Sequence, residues 1–495
     1  MGKIQKQSVS GTIYSYIGVA LGFLSTGYLM PRLLLTDEVG LLRLLVSYST
    51  LMAQFAVLGF GTVTVKLFPY FRDEKKQHHG FLGMALLVGL VGFIVVTIVY
   101  LSFQNYILEN AKEKSALFIP YFYYVIPLVF FTLVFGILDN YFRVLYNAVV
   151  GIVYKEVVQR VLILITIILY YFKAIDFHLM VILYMLALVS PGLLLFIKLA
   201  KDKMLYLKPD FGFINRKLAK EIISVAFFGI VASYSGVLVM NVDILMINDY
   251  LGLSDAGIYA ITFFFGAIIL VPIRTMGKIS SVIISDSWKI DDTKTVFNIY
   301  QKSTLSLGVI GVLLFVGIVG NIDNVMFIIG KNYESGRYVI ILIALANLFD
   351  VFQGVSPHVL VNSKHYKWLS YLLIGFALLV VLTNLIFIPK YGILGAALAS
   401  MISKAIYNLA KFLFLYGTFK FQPYGVKHIL LLVAGFLAFI SVYFIPEMLN
   451  AYFDILIRSI IISVVFVILI YWWRISVDIN AKLESIFWGV VRRNK

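Results

Sequence analysis

Apolar runs long enough to cross a bilayer recur from one end of the chain to the other, separated by short polar turns and with no soluble insertion between them. A helix needs about 20 mostly apolar residues to cross the hydrocarbon layer. The pattern therefore predicts an all-α polytopic membrane protein of about fourteen helices, at 11–31, 41–65, 81–103, 116–138, 151–171, 178–197 and 221–247 in the first part. The second part gives 256–273, 303–320, 338–360, 366–388, 393–416, 428–445 and 454–473. A membrane barrel would show polar–apolar alternation in segments of about ten residues, and that alternation is missing. The turns share a grammar: "LLLTDEVG" after Arg32 and "DYLGLSDAG" after Asn248 both read as outward helix, short acidic turn, inward helix.

Charge supplies orientation independently of hydropathy. With the N-terminus inside, 32 of the 41 Lys and Arg residues fall on the inner side of this topology, while the 25 acids divide evenly. This is the positive-inside pattern, and it predicts that both termini are cytoplasmic. The most basic inner loop, 201–220, divides the chain into a first six-helix lobe over 1–200 and a second over 221–420. An accessory pair over 421–473 and a cytoplasmic tail over 474–495 follow. The mixed basic and apolar segment 274–302, with Arg274 and Lys278, reads as an amphipathic helix at the interface or as an inner extension of a span.

Composition agrees: 61% of residues are hydrophobic and 13% charged, against about 25% charged in soluble proteins. Absence of cysteine excludes disulfides and thiolate metal sites. Topology accounts for the net positive charge, so it is no sign of nucleic acid. Phosphate loops, metalloprotease helices and nucleophile elbows are missing, and the short outer connections disfavour a catalytic domain over a lipid substrate. His78 and His79 read as a solvated loop rather than a metal site.

The ionisable residues inside spans are the candidates for function. Asp350 and Lys404 each lie about twelve residues into their spans, which at 1.5 Å per residue puts both near the bilayer centre. Charge there is costly unless paired or facing a hydrated cavity, and both readings stand. Asn347, Asp350 and Gln353 follow i,i+3 spacing, while Ser400, Lys404, Asn408 and Lys411 repeat at four, four and three. Each set therefore forms a stripe along one helix face. Asp243 is a candidate for cation binding or for stabilising the outer turn. Arg32 and Arg43 towards the outside, and Lys66 and Arg143 towards the inside, could receive phosphate oxygens or snorkel to lipid headgroups. Glu156 and Arg160 are spaced to pair.

Three stretches carry a resemblance. "PRLLLTDEVGLLRLLVSYSTLMAQFAVLGFG" at 31–61, "VDILMINDYLGLSDAGIYA" at 242–260 and "IPKYGILGAALAS" at 388–400 resemble, in order and spacing, the polysaccharide transporter or lipid-linked oligosaccharide flippase family. The resemblance implies an inverted V of two six-helix lobes plus two helices. It also implies alternating access that carries a polyprenyl-diphosphate-linked oligosaccharide across the membrane, with bilayer lipids and polysaccharide assembly proteins as partners. By that analogy Asp243, Asp350 and Lys404 lead the transport candidates, with Na+ or H+ as the coupling ion and no other cofactor. The dense midplane cations of the lipid II flippase branch are missing from the first lobe. An ion-coupled multidrug exporter, a glycan polymerase or ligase, and a scaffold are the alternatives.

Overall fold

The computed structural model describes residues 2–446, 448, 450–476, 479–481 and 484, and the side chains of all of these except 2–9, 232, 274, 275, 278 and 279. The side chains of Arg274 and Lys278 in the amphipathic segment, and the tail residues Lys482, Arg492, Arg493 and Lys495, thus lie outside the described residues.

All regular structure among the described residues is helical. Twelve helices are long and apolar enough to cross a membrane. One of these, Tyr366–Phe419, has 54 residues and would run about 80 Å at 1.5 Å per residue, far beyond one crossing. It breaks at Gly392, whose φ of 61° and ψ of −140° only glycine adopts readily. A further run over 148–171 is continuous through a π-helical turn at Tyr154–Val158. With the long helix divided and this run added, fourteen spans result, as the hydropathy predicts.

In chain order the spans are α1 Ser10–Leu33, α2 Thr36–Ala56, α3 Gln77–Ser102, α4 Ala116–Val144, α5 148–171, α6 Phe177–Lys201 and α7 Arg216–Leu251. They continue as α8 Leu253–Ile273, α9 Thr293–Val319, α10 Lys331–Phe352, α11 366–391, α12 393–419, α13 Val426–Tyr443 and α14 Ala451–Trp472. Polar turn residues fix their starts. Asp176, Asn215, Asp292 and Asn450 each accept a hydrogen bond from a backbone N–H in the first turn of the helix that follows, satisfying donors that have no intrahelical partner. The acidic turn before α2 works in the same way. Glu38 accepts from the Leu35 N–H at 2.9 Å and from the Tyr170 hydroxyl at 2.9 Å.

The chain forms two compact units, Met1–Ala260 and Ile261–Lys495. In the first, α2 is central and packs on α3, α4 and α7. Its start meets the start of α8 through Thr36 and Ser254, whose hydroxyls lie 2.7 Å apart. A Cβ at Gly40 would collide with the Leu253 carbonyl, and one at Gly257 with the Thr36 carbonyl. These small residues let two backbones touch where bulk hydrophobes would hold them apart. The loop at 77–80 is not the solvated segment the sequence suggests. His78 is buried against Phe68, Tyr141 and Tyr206, and His79 stacks on Phe213.

In the second unit α9, α10, α13 and α14 share one apolar core, including Leu307, Val312, Ala344, Leu348, Leu431 and Phe466. The last two spans are fastened by a buried polar clip. Arg458 donates to Asp454 at 2.8 Å and to the Val442 and Ile445 carbonyls, and Asn324 donates to Asp454 at 2.6 Å. Such bonds satisfy groups that would otherwise be stranded in a dry interior.

Candidate functional site

The cluster forms where α10 and α12 run together. Ala344 and Ala346 on α10, and Ala396, Ala397 and Ala399 on α12, are fully buried. Small side chains bring the two backbones close, and the polar stripes of the two helices then face each other. Lys404 donates to the Asp350 carboxylate at 2.8 Å and also to the Asn347 side-chain oxygen. Asn408 donates to the other Asp350 oxygen at 2.8 Å. Asn347 is anchored in turn by its amide, which donates to the Gly266 carbonyl at 3.0 Å. Asn347, Asp350, Lys404 and Asn408 are therefore joined by hydrogen bonds between the two helices.

The position of Asp350 needs correcting. The sequence places it midway along an unbroken span over 338–360, whereas α10 ends at Phe352 and a second short helix, Ser356–Val361, follows. Asp350 thus sits beside a break. Gly354 has φ +56°, and Pro357 lacks a backbone donor. Side chains replace the missing ladder: Gln353 donates to the Asn408 carbonyl at 3.0 Å, and the Val355 N–H donates to Ser303 Oγ at 3.1 Å. Irregular backbone at membrane depth is tolerated only where protein or water satisfies it in this way.

Two more residues join the site, Lys411, which the sequence puts on the α12 stripe, and Tyr424, which no spacing in the sequence points to. Lys411, one member of the α12 stripe, is 2% exposed, with its ammonium 4.7 Å from the centre of the Tyr407 ring. It lies within electrostatic reach of Asp350 but forms no ion pair among the described residues. Tyr424, beyond the last stripe residue, receives a hydrogen bond from Gln353 at 3.2 Å and donates to the Phe352 carbonyl. The cluster therefore holds two lysines and one carboxylate. Asp350 keeps a quarter of its side-chain surface exposed, against 9% for Lys404, and the Asn408 Oδ1 is buried with no partner.

The remaining candidates fall elsewhere. Asp243, in the first unit, is 3% exposed and accepts from the Tyr259 hydroxyl at 2.6 Å. Asn241 donates back along its own helix to Val237, consistent with the two residues facing apart. Arg32 donates to the Tyr28 hydroxyl and lies over its ring, Arg43 donates to Thr26 at 2.9 Å, and Arg143 pairs with Asp139 at 2.5 Å. Lys66 is exposed on the helix Phe60–Phe71. Glu156 and Arg160 pair at 2.8 Å. No group of three or more His, Asp or Glu residues suited to a metal occurs among the described residues.

A family model described as "Polysaccharide biosynthesis protein" matches residues 6–280. No curated protein matches the chain by sequence. Among solved structures the chain is similar to the lipid II flippase MurJ in an inward closed conformation, at 16% identity and TM-score 0.71, covering 98% of this chain and 99% of that one. It is also similar to a MATE transporter in complex with MaD3S, at 16% identity and TM-score 0.53, covering 85% and 98% of the two chains. A third, an inward-facing multidrug resistance MATE transporter of the MOP superfamily, has 14% identity and TM-score 0.55 over 81% and 97%. These likenesses show that the chain shares the fold of these proteins.

Proposed function

Because the chain belongs to the polysaccharide biosynthesis protein family, we propose that it moves a polyprenyl-diphosphate-linked oligosaccharide from the cytoplasmic to the outer leaflet by alternating access, without covalent chemistry. The observation that carries this reading is the imbalance of charge in the α10–α12 cluster. Lys404 is neutralised by Asp350, while Lys411 is buried without a carboxylate of its own. A buried cation without an anion is costly, and a diphosphate supplies the missing charge. The partly exposed side of Asp350 is where a proton or Na+ would exchange with Lys404 for the carboxylate, coupling an ion gradient to release. Asp243, with Arg32, Arg43, Lys66 and Arg143, is a further candidate for contact along the route, in an inner membrane with both termini cytoplasmic.

A multidrug resistance transporter shares the fold, and export of organic cations is the second reading. Excess buried lysine repels such cargo, so the cluster favours an anionic headgroup. The deciding experiment is translocation of candidate polyprenyl-diphosphate oligosaccharides in sealed proteoliposomes, detected by an external lectin or glycosidase. Transfer by the intact chain that falls about tenfold or more in Asp350→Asn and Lys404→Gln, at unchanged folding, supports the proposal. Transfer equal to protein-free vesicles, with export of a cationic dye under an ion gradient, replaces it with the second reading.

A further inference from the structure

A second polar recess lies in the first unit, far along the sequence from the α10–α12 stripes and with different chemistry. It is small and open at its mouth, with both aromatic and polar side chains in its lining. Its walls come from α2, the helix Gln104–Lys114, the start of α4 and the last turns of α7. In the predicted topology this is the outer end of the unit.

One side is aromatic. Tyr48 stacks on Phe118 with ring centres 5.8 Å apart and is held edge-on by Tyr100, which fixes its plane. Tyr106 stands at the mouth, 63% exposed. The Tyr48 hydroxyl has no hydrogen-bond partner among the described residues, unlike those of Tyr170 and Tyr259.

The other side is planar and polar. Asn110 donates to the Asp249 carboxylate, Lys114 donates to the Asp249 backbone carbonyl at 3.1 Å, and Ser115 donates to the Asn248 side-chain oxygen at 2.7 Å. These bonds hold the three planar groups in place. They leave the second Asp249 oxygen, the Asn110 oxygen and the Asn248 amide without a partner among the described residues, two acceptors beside one donor.

A flat aromatic face beside fixed acceptors and a donor matches a pyranose ring. Its axial C–H bonds make one face apolar and positive enough to meet a π cloud, while its equatorial hydroxyls both donate and accept. The same lining disfavours a diphosphate, because its one ionised side chain is the Asp249 carboxylate. We propose that this recess is a monosaccharide subsite that takes one uncharged sugar ring at the outer end of the first unit. The proposal rests on the reading of the chain as an oligosaccharide translocase for the source of that sugar.

The test is saturation-transfer NMR on the full chain in nanodiscs, with methyl β-D-glucopyranoside, methyl β-D-galactopyranoside and methyl N-acetyl-β-D-glucosaminide as probes. The expected result is transfer to ring protons of at least one glycoside, reduced about tenfold by Tyr106→Ala and by Asp249→Asn. Tyr443→Ala, which removes an exposed aromatic from α13, leaves it unchanged, and inorganic pyrophosphate does not compete. Tyr106 is exposed enough for its removal to spare the fold, and the melting curve of each variant verifies this. No transfer to any of the three glycosides, transfer indifferent to both substitutions, or displacement by pyrophosphate overturns the subsite. Vesicle translocation without glycoside binding sinks the subsite alone, whereas glycoside binding without translocation sinks the translocase reading and leaves a sugar site.

Discussion

Asp350 and Asp454 both lie in membrane-spanning helices of the second unit with a cation 2.8 Å away, yet their surroundings differ in kind. Asp454 is fully buried, and its partner Arg458 also donates to two backbone carbonyls at the end of α13. Its charges balance one to one, with Asn324 adding a second donor. Asp350 keeps a quarter of its surface exposed, sits beside a helix break and has two buried lysines around it. The first arrangement holds the last two spans to the unit. The second is unbalanced in charge, which makes it able to respond to a ligand, while in hydrogen bonding the two are alike, since Asp454 Oδ1 and Asn408 Oδ1 are both buried without a partner among the described residues. An ion pair within spans therefore says little by itself, and the balance of its surroundings says more.

Removing one member of the closed pair has the largest expected effect. Arg458→Met leaves Asp454 charged and unpaired in the core, which costs about 3–5 kcal/mol and lowers the melting temperature in detergent. Pairing it with Asp454→Leu recovers most of that loss, because two apolar side chains of similar volume need no compensation. The open pair behaves differently. In Lys404→Met the Asp350 carboxylate keeps Asn408, exposure and a nearby lysine, so about 1–2 kcal/mol is expected, while translocation collapses. If Lys404→Met destabilises as much as Arg458→Met, both pairs are structural and the contrast fails.

Much of this site is legible in the sequence because helical spacing is a local property. Asn347, Asp350, Lys404 and Asn408 repeat at three and four residues, and those repeats alone put them on two faces. The break at 353–355 is hidden because Val351, Phe352, Val355 and Val359 continue the apolar pattern through it, leaving Pro357 as the only signal. Asp454 is equally readable as the i−4 partner of Arg458. The solvated reading of His78 and His79 failed because they dock on Tyr206 and Phe213, some 130 residues away, although residues 74–77 just before them are exposed. The recess lined by Tyr48, Tyr106, Phe118 and Asp249 joins four elements with no shared period, and only the packed fold assembles it.

Lys411 sharpens the comparison further, because its removal separates function from stability. No carboxylate pairs with it among the described residues, so Lys411→Gln relieves a buried charge. Melting is expected to stay level or to rise by about 1 kcal/mol of stability. Translocation, and retention of a polyprenyl diphosphate in detergent, are expected to fall about tenfold. A variant that melts early shows Lys411 to be compensated within the chain, and the charge imbalance then no longer supports a headgroup site.

The smallest effect belongs to a pair outside the spans, which sets the lower end of the scale. His79 Nδ1 lies 3.0 Å from Asp210, whose side chain is 51% exposed, and its ring stacks on Phe213 at 3.7 Å. The hydrogen bond from His79, with help from the Phe213 N–H, holds the Asp210 carboxyl below its ordinary value. A carboxylate lowered in the folded state contributes stability above its unfolded pKa of about 4 and loses it as the pH falls through the lower folded value. The chain has no cysteine, so a spin label attached through Lys208→Cys reports on this segment alone. Its mobility is expected to stay constant from neutral pH to about pH 4 and to rise below that, with the step abolished by Asp210→Asn and the global melt unmoved. A step that survives Asp210→Asn would remove this pair as the exposed and weakly coupled limit against which Asp350 and Asp454 are measured.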